Sequence, residues 1–397
     1  MKQLLAVAII VAGLAGRSAV DKVLALRGGA EAVALWGQLS SAIDLVSSVA
    51  LAGIGGGLTV LVAQAASPAR QYPLLGQALR PALAASLAAA LAVALAAGMT
   101  LDTGRAQYAL AAFCGWIAVV PGLVNAYWLG QEQRGRMLSL AVASALISLA
   151  AAALAPQAWL LEWLAASTAA PALVLLWLGR PPQAAARDPV QAGVLRQYLL
   201  PGLAIGVLSP ASLIAARALV ADALSWHEAG ELQALWRMAD WICVPAGGAL
   251  SLLYFARLSA TAAQGGMHAV LRAAQRRVLA PAVLALALLG IAHAPLLLLL
   301  YEPGFAVAPL AAWLFFAGSA ARVGAWIHLY ALYAMRRTGM IALGELLSLP
   351  LFALLLALAG QRLTLELAGA FWLAAYLAYW AFNAWAVGKS GSRPDSR

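Results

Sequence analysis

The stretch "ALWRMADWICVPAGG", residues 234–248, sets Arg237 and Asp240 one helical turn apart inside an apolar run. In a soluble helix such a pair marks a solvated face. Here the run extends over 235–258, longer than the 18 or so apolar residues that cross roughly 30 Å of hydrocarbon as a helix. Similar runs recur along the whole chain of 397 residues, 64% of which are hydrophobic and 10% charged. A soluble protein carries about 25% charged residues. The reading is an all-α polytopic membrane protein.

Apolar length predicts about twelve spans: 4–26, 38–64, 81–99, 106–129, 137–155, 158–178, 198–220, 235–258, 279–300, 307–334, 339–359 and 364–388. Lys2 followed by "LLAVAIIVAGLAG" has the look of a secretory signal. The run continues past Arg17 into "AVDKVLAL", so it reads as a retained first helix. Of the 25 Lys and Arg, 17 fall on one side of the predicted membrane, 4 on the other and 4 within spans. Positive charge collects on the cytoplasmic side, so both termini are expected in the cytoplasm of a multi-pass membrane protein. The net charge of +10 is then a topology signal, with basic inner faces resting on anionic membrane lipids. No nucleic-acid partner is expected.

The longest polar break in the middle of the chain, "GRPPQAAARDPVQAGVLRQ" (179–197), divides the spans six and six. This predicts an N-terminal lobe over 1–185 and a C-terminal lobe over 186–397 with a short cytoplasmic tail. Six spans per half make any repeat parallel. Asp44 and Asp240 stand at matching places, 196 residues apart, and "RGRM" (134–137) and "RRTGM" (336–340) follow the fourth span of each half. The glycines of "GIGGG" (53–57) and of 247–248 lie 11 and 7 residues past their acids, counted to Gly55 and Gly247, and so are out of register by one turn.

Enzyme motifs are missing. There is no P-loop, nucleophile elbow or HExxH, and "GIGGG" lies within a span, where close helix packing or a kink is the expected use. Cys114 and Cys243 lie in apolar runs as packing residues. His227, His268, His293 and His328 are scattered, without metal-site spacing.

The chemistry therefore rests with ionisable residues inside spans, each of which costs about 2.5–3.5 kcal/mol at the bilayer centre on insertion scales. The basic ones are Arg17, Arg217, Arg237 and Arg322. All are arginine, whose planar fork matches phosphate oxygens bidentately, and they are the candidate ligands of a diphosphate head group. The acids Asp240, Asp44, Glu345 and Asp21 are candidates for ion coupling or as charge partners. Arg17 and Asp21 are four residues apart on one face, and Asp240 is placed to hold Arg237. The competing reading is structural pairing between helices, or snorkelling, which fits Arg17 and Arg217 best.

"LALRGGAEAVALWGQLSSAIDLV" (24–46) and "GIGGGLTVLVAQ" (53–64) resemble the first two helices of Wzx-type oligosaccharide-lipid flippases, of the multidrug/oligosaccharidyl-lipid/polysaccharide exporter superfamily. "SWHEAGELQALWRMAD" (225–240) is similar to the stretch entering the eighth helix of the lipid III and O-antigen flippases, through Ser225, Trp226, Glu228, Gly230, Gln233 and Asp240. "RVGAWIHLYALYAM" (322–335) and "GELLS" (344–348) resemble their tenth and eleventh helices. The resemblance implies two six-helix lobes around a central cationic cavity. It implies alternating access, and transfer of undecaprenyl-diphosphate-linked oligosaccharide to the periplasmic leaflet, with a proton or sodium gradient as the coupling source. A polysaccharide polymerase and a chain-length regulator would be further partners. Asp240, Arg322 and Glu345 match family positions, whereas Arg237 stands where the family has a small polar residue.

Two rivals remain. A multidrug/cation antiporter of the same superfamily would line its cavity with acids. A membrane polysaccharide polymerase would need a larger outer loop than the short connections near 156, 302 and 360 provide.

Overall fold

The computed structural model describes residues 2–65, 68–100, 104–178, 189–264 and 266–391, and these form helices without a strand. The chain packs as two units.

The first unit comprises Met1–Arg27 and Leu35–Ile214. Its helices are α1 (Lys2–Ala50), α2 (Gly56–Gln64), α3 (Pro68–Thr100), α4 (Arg105–Gly130), α5 (Arg134–Leu154), α6 (Leu160–Leu178) and most of α7 (Pro189–Ala223). Glycine lets these helices approach. Along α4, Gly115 lies against the Ile43 carbonyl, Gly122 against Leu51 and Gly130 against the Thr59 carbonyl and Val62. A Cβ at any of the three would collide, so the stripe fixes α1 and α2 against α4. Thr59 locks the contact, its hydroxyl donating to the Ala126 carbonyl at 3.0 Å. Behind it lies an apolar core of Ala50, Ile54, Leu58, Leu74, Val119 and Leu123.

The second unit comprises Gly28–Ala34 and Ala215–Arg397. It holds α8 (Trp226–Ala249), α9 (Phe255–Gln264), α10 (Met267–Ala274), α11 (Ala280–Leu300), α12 (Pro309–Ala334), α13 (Thr338–Leu346), α14 (Leu349–Ala359) and α15 (Leu365–Gly391). Here α12 and α15 pack most closely. Gly318 and Gly324 of α12 lie under Trp372 and Trp380, and Gly369 of α15 lies against the Ala311 carbonyl. Phe315 stacks on Trp372 at 4.7 Å, and Trp236 and Phe352 meet the same indole edge-on at 5.2 Å each. Such pairs add about 0.5–1.5 kcal/mol each beyond buried area.

Nine described helical segments are long and apolar enough to cross a membrane. Their outward faces carry bare apolar side chains, among them Leu284, Leu288, Ile291 and Leu299 of α11. An exposed face of this kind suits lipid. The first segment, Val7–Gln64, holds two of the twelve expected spans. The expected connection over 27–37 is helical, and its one break is Gly29, at φ 67° and ψ −165°, a conformation almost confined to glycine. The other differences are similar. Expected span nine begins further back, since α10 runs through a π turn (Gln275–Leu279) into α11. Expected span eleven is two helices, α13 and α14, parted at Leu347 and Ser348.

The second helix of each half widens to a π turn, Leu51–Gly55 in one and Leu250–Tyr254 in the other. The glycines of 53–57 thus serve a distorted helix. The predicted boundary at 185/186 lies outside the described residues. The two compact units part within α7, between Ile214 and Ala215. The reason is local: the Gly206 carbonyl of α7 accepts from the Ser48 hydroxyl at 2.5 Å, and the Ile214 carbonyl accepts from the Gln38 amide at 3.0 Å.

Candidate functional site

The charged residues of the second unit are positioned by the start of α8. Ser225 caps it, its hydroxyl accepting from the backbone N–H of His227 and Glu228 at 3.1 and 3.3 Å. The Glu228 carboxylate, three residues on, accepts from the Ser225 hydroxyl. One turn later, buried Glu231 accepts the Ala306 N–H at 2.9 Å and faces His227 at 3.6 Å. This ties α8 to the segment that leads into α12. Gly230 packs against the backbone of Ala30, where no Cβ would fit.

Three polar groupings follow. Arg217 of α7 is buried, donates from Nε to Oε1 of Gln233 at 2.7 Å, and lies over the Trp236 ring at 5.5 Å. One turn further along α8, Asp240 forms its ion pair with Arg322 of α12 at 3.1 Å, the side chains being 22% and 19% exposed. Arg322 also covers Trp326, four residues on, at 4.6 Å. Glu345 is buried at the end of α13 and accepts from the Tyr379 hydroxyl of α15 at 2.7 Å. Ser348, in the break before α14, bonds the Glu345 carbonyl at 2.7 Å and reaches its carboxylate at 3.4 Å.

The candidate residues thus separate by unit. Arg217, Arg237, Asp240, Arg322 and Glu345 belong to the second, and Arg17, Asp21 and Asp44 to the first. The sequence pattern placed Asp240 beside Arg237, whereas the structure places it on Arg322 of another helix. It engages two of the four proposed anion ligands, Arg217 and Arg322, with groups of the chain itself. On α1, Arg17 is exposed while Asp21 is only 2% exposed, so their shared face leads into different surroundings. Asp44 is exposed.

Sequence reading passed over four of the partners. Gln233 and Ser348 lay inside quoted motifs, and Trp326 stands at the i+4 position of Arg322. Tyr379 carries no local signal, because it comes from a helix 34 residues further on. The buried histidines bond their own helices, His293 to the Gly290 carbonyl at 2.8 Å and His328 to the Gly324 carbonyl at 3.1 Å.

A guanidinium and a carboxylate that are both partly buried stabilise one another, and neutralising either leaves a partly buried charge uncompensated. A proton or sodium ion reaching Asp240 would therefore release Arg322. Glu345 lies beside a helix break, and the carbonyls of Gly344, Glu345 and Ser348 there accept backbone N–H groups of the chain itself.

No protein-family model matches the chain, and no curated protein matches it. Solved structures do. An inward-facing multidrug resistance MATE family transporter of the MOP superfamily superposes with a TM-score of 0.68 at 12% identity, over 98% of this chain and 94% of that one. A MATE protein in complex with MaL6 gives 0.68 at 11%, over 99% and 98%. An outward-facing multidrug resistance MATE family transporter gives 0.67 at 11%, over 99% and 97%. The likeness, at these identities, is one of fold, and it extends over the full length.

Proposed function

We propose that the chain is a transporter of the bacterial inner membrane, with both termini in the cytoplasm, that moves its substrate by alternating access of its two units. The full-length likeness of fold to transporters solved in inward- and outward-facing forms carries this reading. The embedded charges fit ion coupling, with Asp240, Glu345 and Asp44 as the proton- or sodium-responsive acids.

For the substrate, the reading placed first is exchange of organic cations or drugs against a proton or sodium ion. The fold likeness supports it, and so does the charge count. Four embedded arginines stand against four embedded acids, and the best-defined arginine is held by an acid. A cavity built for a diphosphate would show a surplus of free cationic forks.

The second reading is flipping of undecaprenyl-diphosphate-linked oligosaccharide for O-antigen or a related surface polysaccharide. The motifs over 225–240, 322–335 and 344–348 favour it, with Arg237 and the exposed Arg17 as the head-group ligands. One pair of assays in proteoliposomes separates the two. The first reading expects ethidium movement driven by an imposed proton or sodium gradient and lost in Asp240→Asn. The second expects a fluorescent lipid diphosphate to become accessible to a membrane-impermeant quencher, with loss in Arg237→Ala. Failure of both assays with correctly inserted protein would reject the transport reading.

A further inference from the structure

A continuous stripe of buried residues runs along α10, its π turn and α11: Leu271, Ala274, Val278, Ala282, Leu286 and Gly290. Their spacing of three and four keeps them on one side of the helix. The opposite side is bare over its whole length and changes character once. Arg272, Arg276 and Arg277 are exposed at its start. Leu284, Leu288 and Ile291 follow, and they are exposed too. We propose that this face holds a phospholipid with a net anionic head group, its phosphate on Arg276 and Arg277 and an acyl chain along Leu284 and Leu288. The proposal needs the chain to span a membrane but not to transport anything.

The levels agree. From Arg277 to Leu300, where α11 ends, a helix rises about 35 Å, against roughly 30 Å of hydrocarbon. With Leu300 at one edge, the guanidinium groups reach the phosphate layer at the other. From Arg277 to Leu288 the rise is about 17 Å, close to the depth of one leaflet.

Charge sets the class of head group. A guanidinium fork takes phosphate oxygens bidentately. No Asp or Glu occurs between Asp240 and Glu302. Among the described residues, the guanidinium groups of Arg257, Arg272, Arg276 and Arg277 make no ion pair or hydrogen bond. A zwitterionic head group would bring an ammonium group to a surface of cations with no carboxylate in this stretch to meet it. A head group of net negative charge meets complementary charge only. The positive-inside tendency asks for basic residues near the ends of spans. It does not ask that they continue a bare apolar helix face.

The neighbouring helix repeats the step. Leu253 and Phe255 are exposed, and the exposed Arg257 of α9 follows them. The Tyr254 hydroxyl ties this helix to α10 by donating to the Ala273 carbonyl at 3.5 Å. The second acyl chain of a phospholipid therefore has an apolar surface beside the first, under a further guanidinium.

The test uses the full chain with Cys114 and Cys243 replaced and a bimane on Leu284→Cys, in nanodiscs of phosphatidylcholine and phosphatidylglycerol. Each lipid in turn carries brominated acyl chains, at equal mole fraction, and quenching of the bimane is read. Brominated phosphatidylglycerol should be preferred at this position at least about fivefold, the factor that one arginine adds at an anionic surface. Arg276→Gln with Arg277→Gln should bring the two lipids close to equality. Arg336→Gln with Arg337→Gln removes the same charge from the turn after α12 and should leave the preference in place. Millimolar inorganic phosphate should not lower it, because free phosphate has no acyl chain to seat. Equal quenching by the two lipids in the parent protein would overturn the proposal. So would equal loss from both arginine pairs, which marks diffuse surface charge, or loss on adding phosphate, which marks an anion site without a lipid. Should the Arg276 and Arg277 double variant fail to insert, Arg277→Gln alone decides by the same comparison. No gradient or substrate is involved, so failure here and failure of the transport reading are read separately.

Discussion

Arg322 touches an acid on one side and an indole on the other. Removal of either member of the Asp240–Arg322 pair leaves a partly buried charge uncompensated, whereas removal of both does not. Arg322→Ala and Asp240→Ala are each expected to lose about 1–3 kcal/mol of stability, and the double variant less than the two together. Thermal unfolding of the three purified variants measures this, and a double variant as unstable as the two losses combined would exclude the pairing. Tyr379→Phe removes the donor to Glu345 and leaves the ring, so a loss of about 1–3 kcal/mol in the same measurement is expected. The residue types at this site were legible in the sequence, because a charge inside an apolar run must have a reason. The partners were not. Spacing within a helix can offer only neighbours three or four residues away, such as Arg237 for Asp240. The contact with Arg322 arises from how α12 lies against α8, which no local pattern encodes.

At the scale of elements, hydropathy marked the helices well, because spanning length follows from bilayer thickness. It missed where they bend. Residues 27–37 carry Arg27, Gly28, Gly29 and Glu31 and read as a loop, yet they stay helical except at Gly29. Just before that glycine, Arg27 caps the end of α5, donating to the carbonyls of Ala152 and Ala155 at 2.6 and 2.5 Å. The polar residue thus satisfies a helix terminus. The α13–α14 break had a signal that length counting overrides: Pro350 has no N–H to continue the helix. Gly230→Ala should reduce the yield of folded protein sharply, because the methyl group meets the backbone of Ala30, which cannot swing aside. Gly29→Ala should cost about 1–3 kcal/mol through its backbone angles alone. Size-exclusion profiles and melting of the two variants check both, and a fully stable Gly230→Ala would contradict the close contact between α8 and residues 28–34.

For the molecule as a whole, the basic bias predicts that reporter fusions after residues 75, 190 and 390 report the cytoplasm, and one after 304 the periplasm. A periplasmic signal at 190 would break the division into two six-span halves. Alternating access itself is best tested with spin labels, one pair near the inner ends (Arg136→Cys with Arg337→Cys) and another near the outer ends (Ala158→Cys with Gly304→Cys). Each pair takes one site from each unit, in a background with Cys114 and Cys243 replaced. On changing pH, sodium or substrate, the two distance distributions should shift in opposite senses, one pair closing as the other opens. Distances in both pairs that stay single and unmoved under every condition would contradict a transporter that works by alternating access.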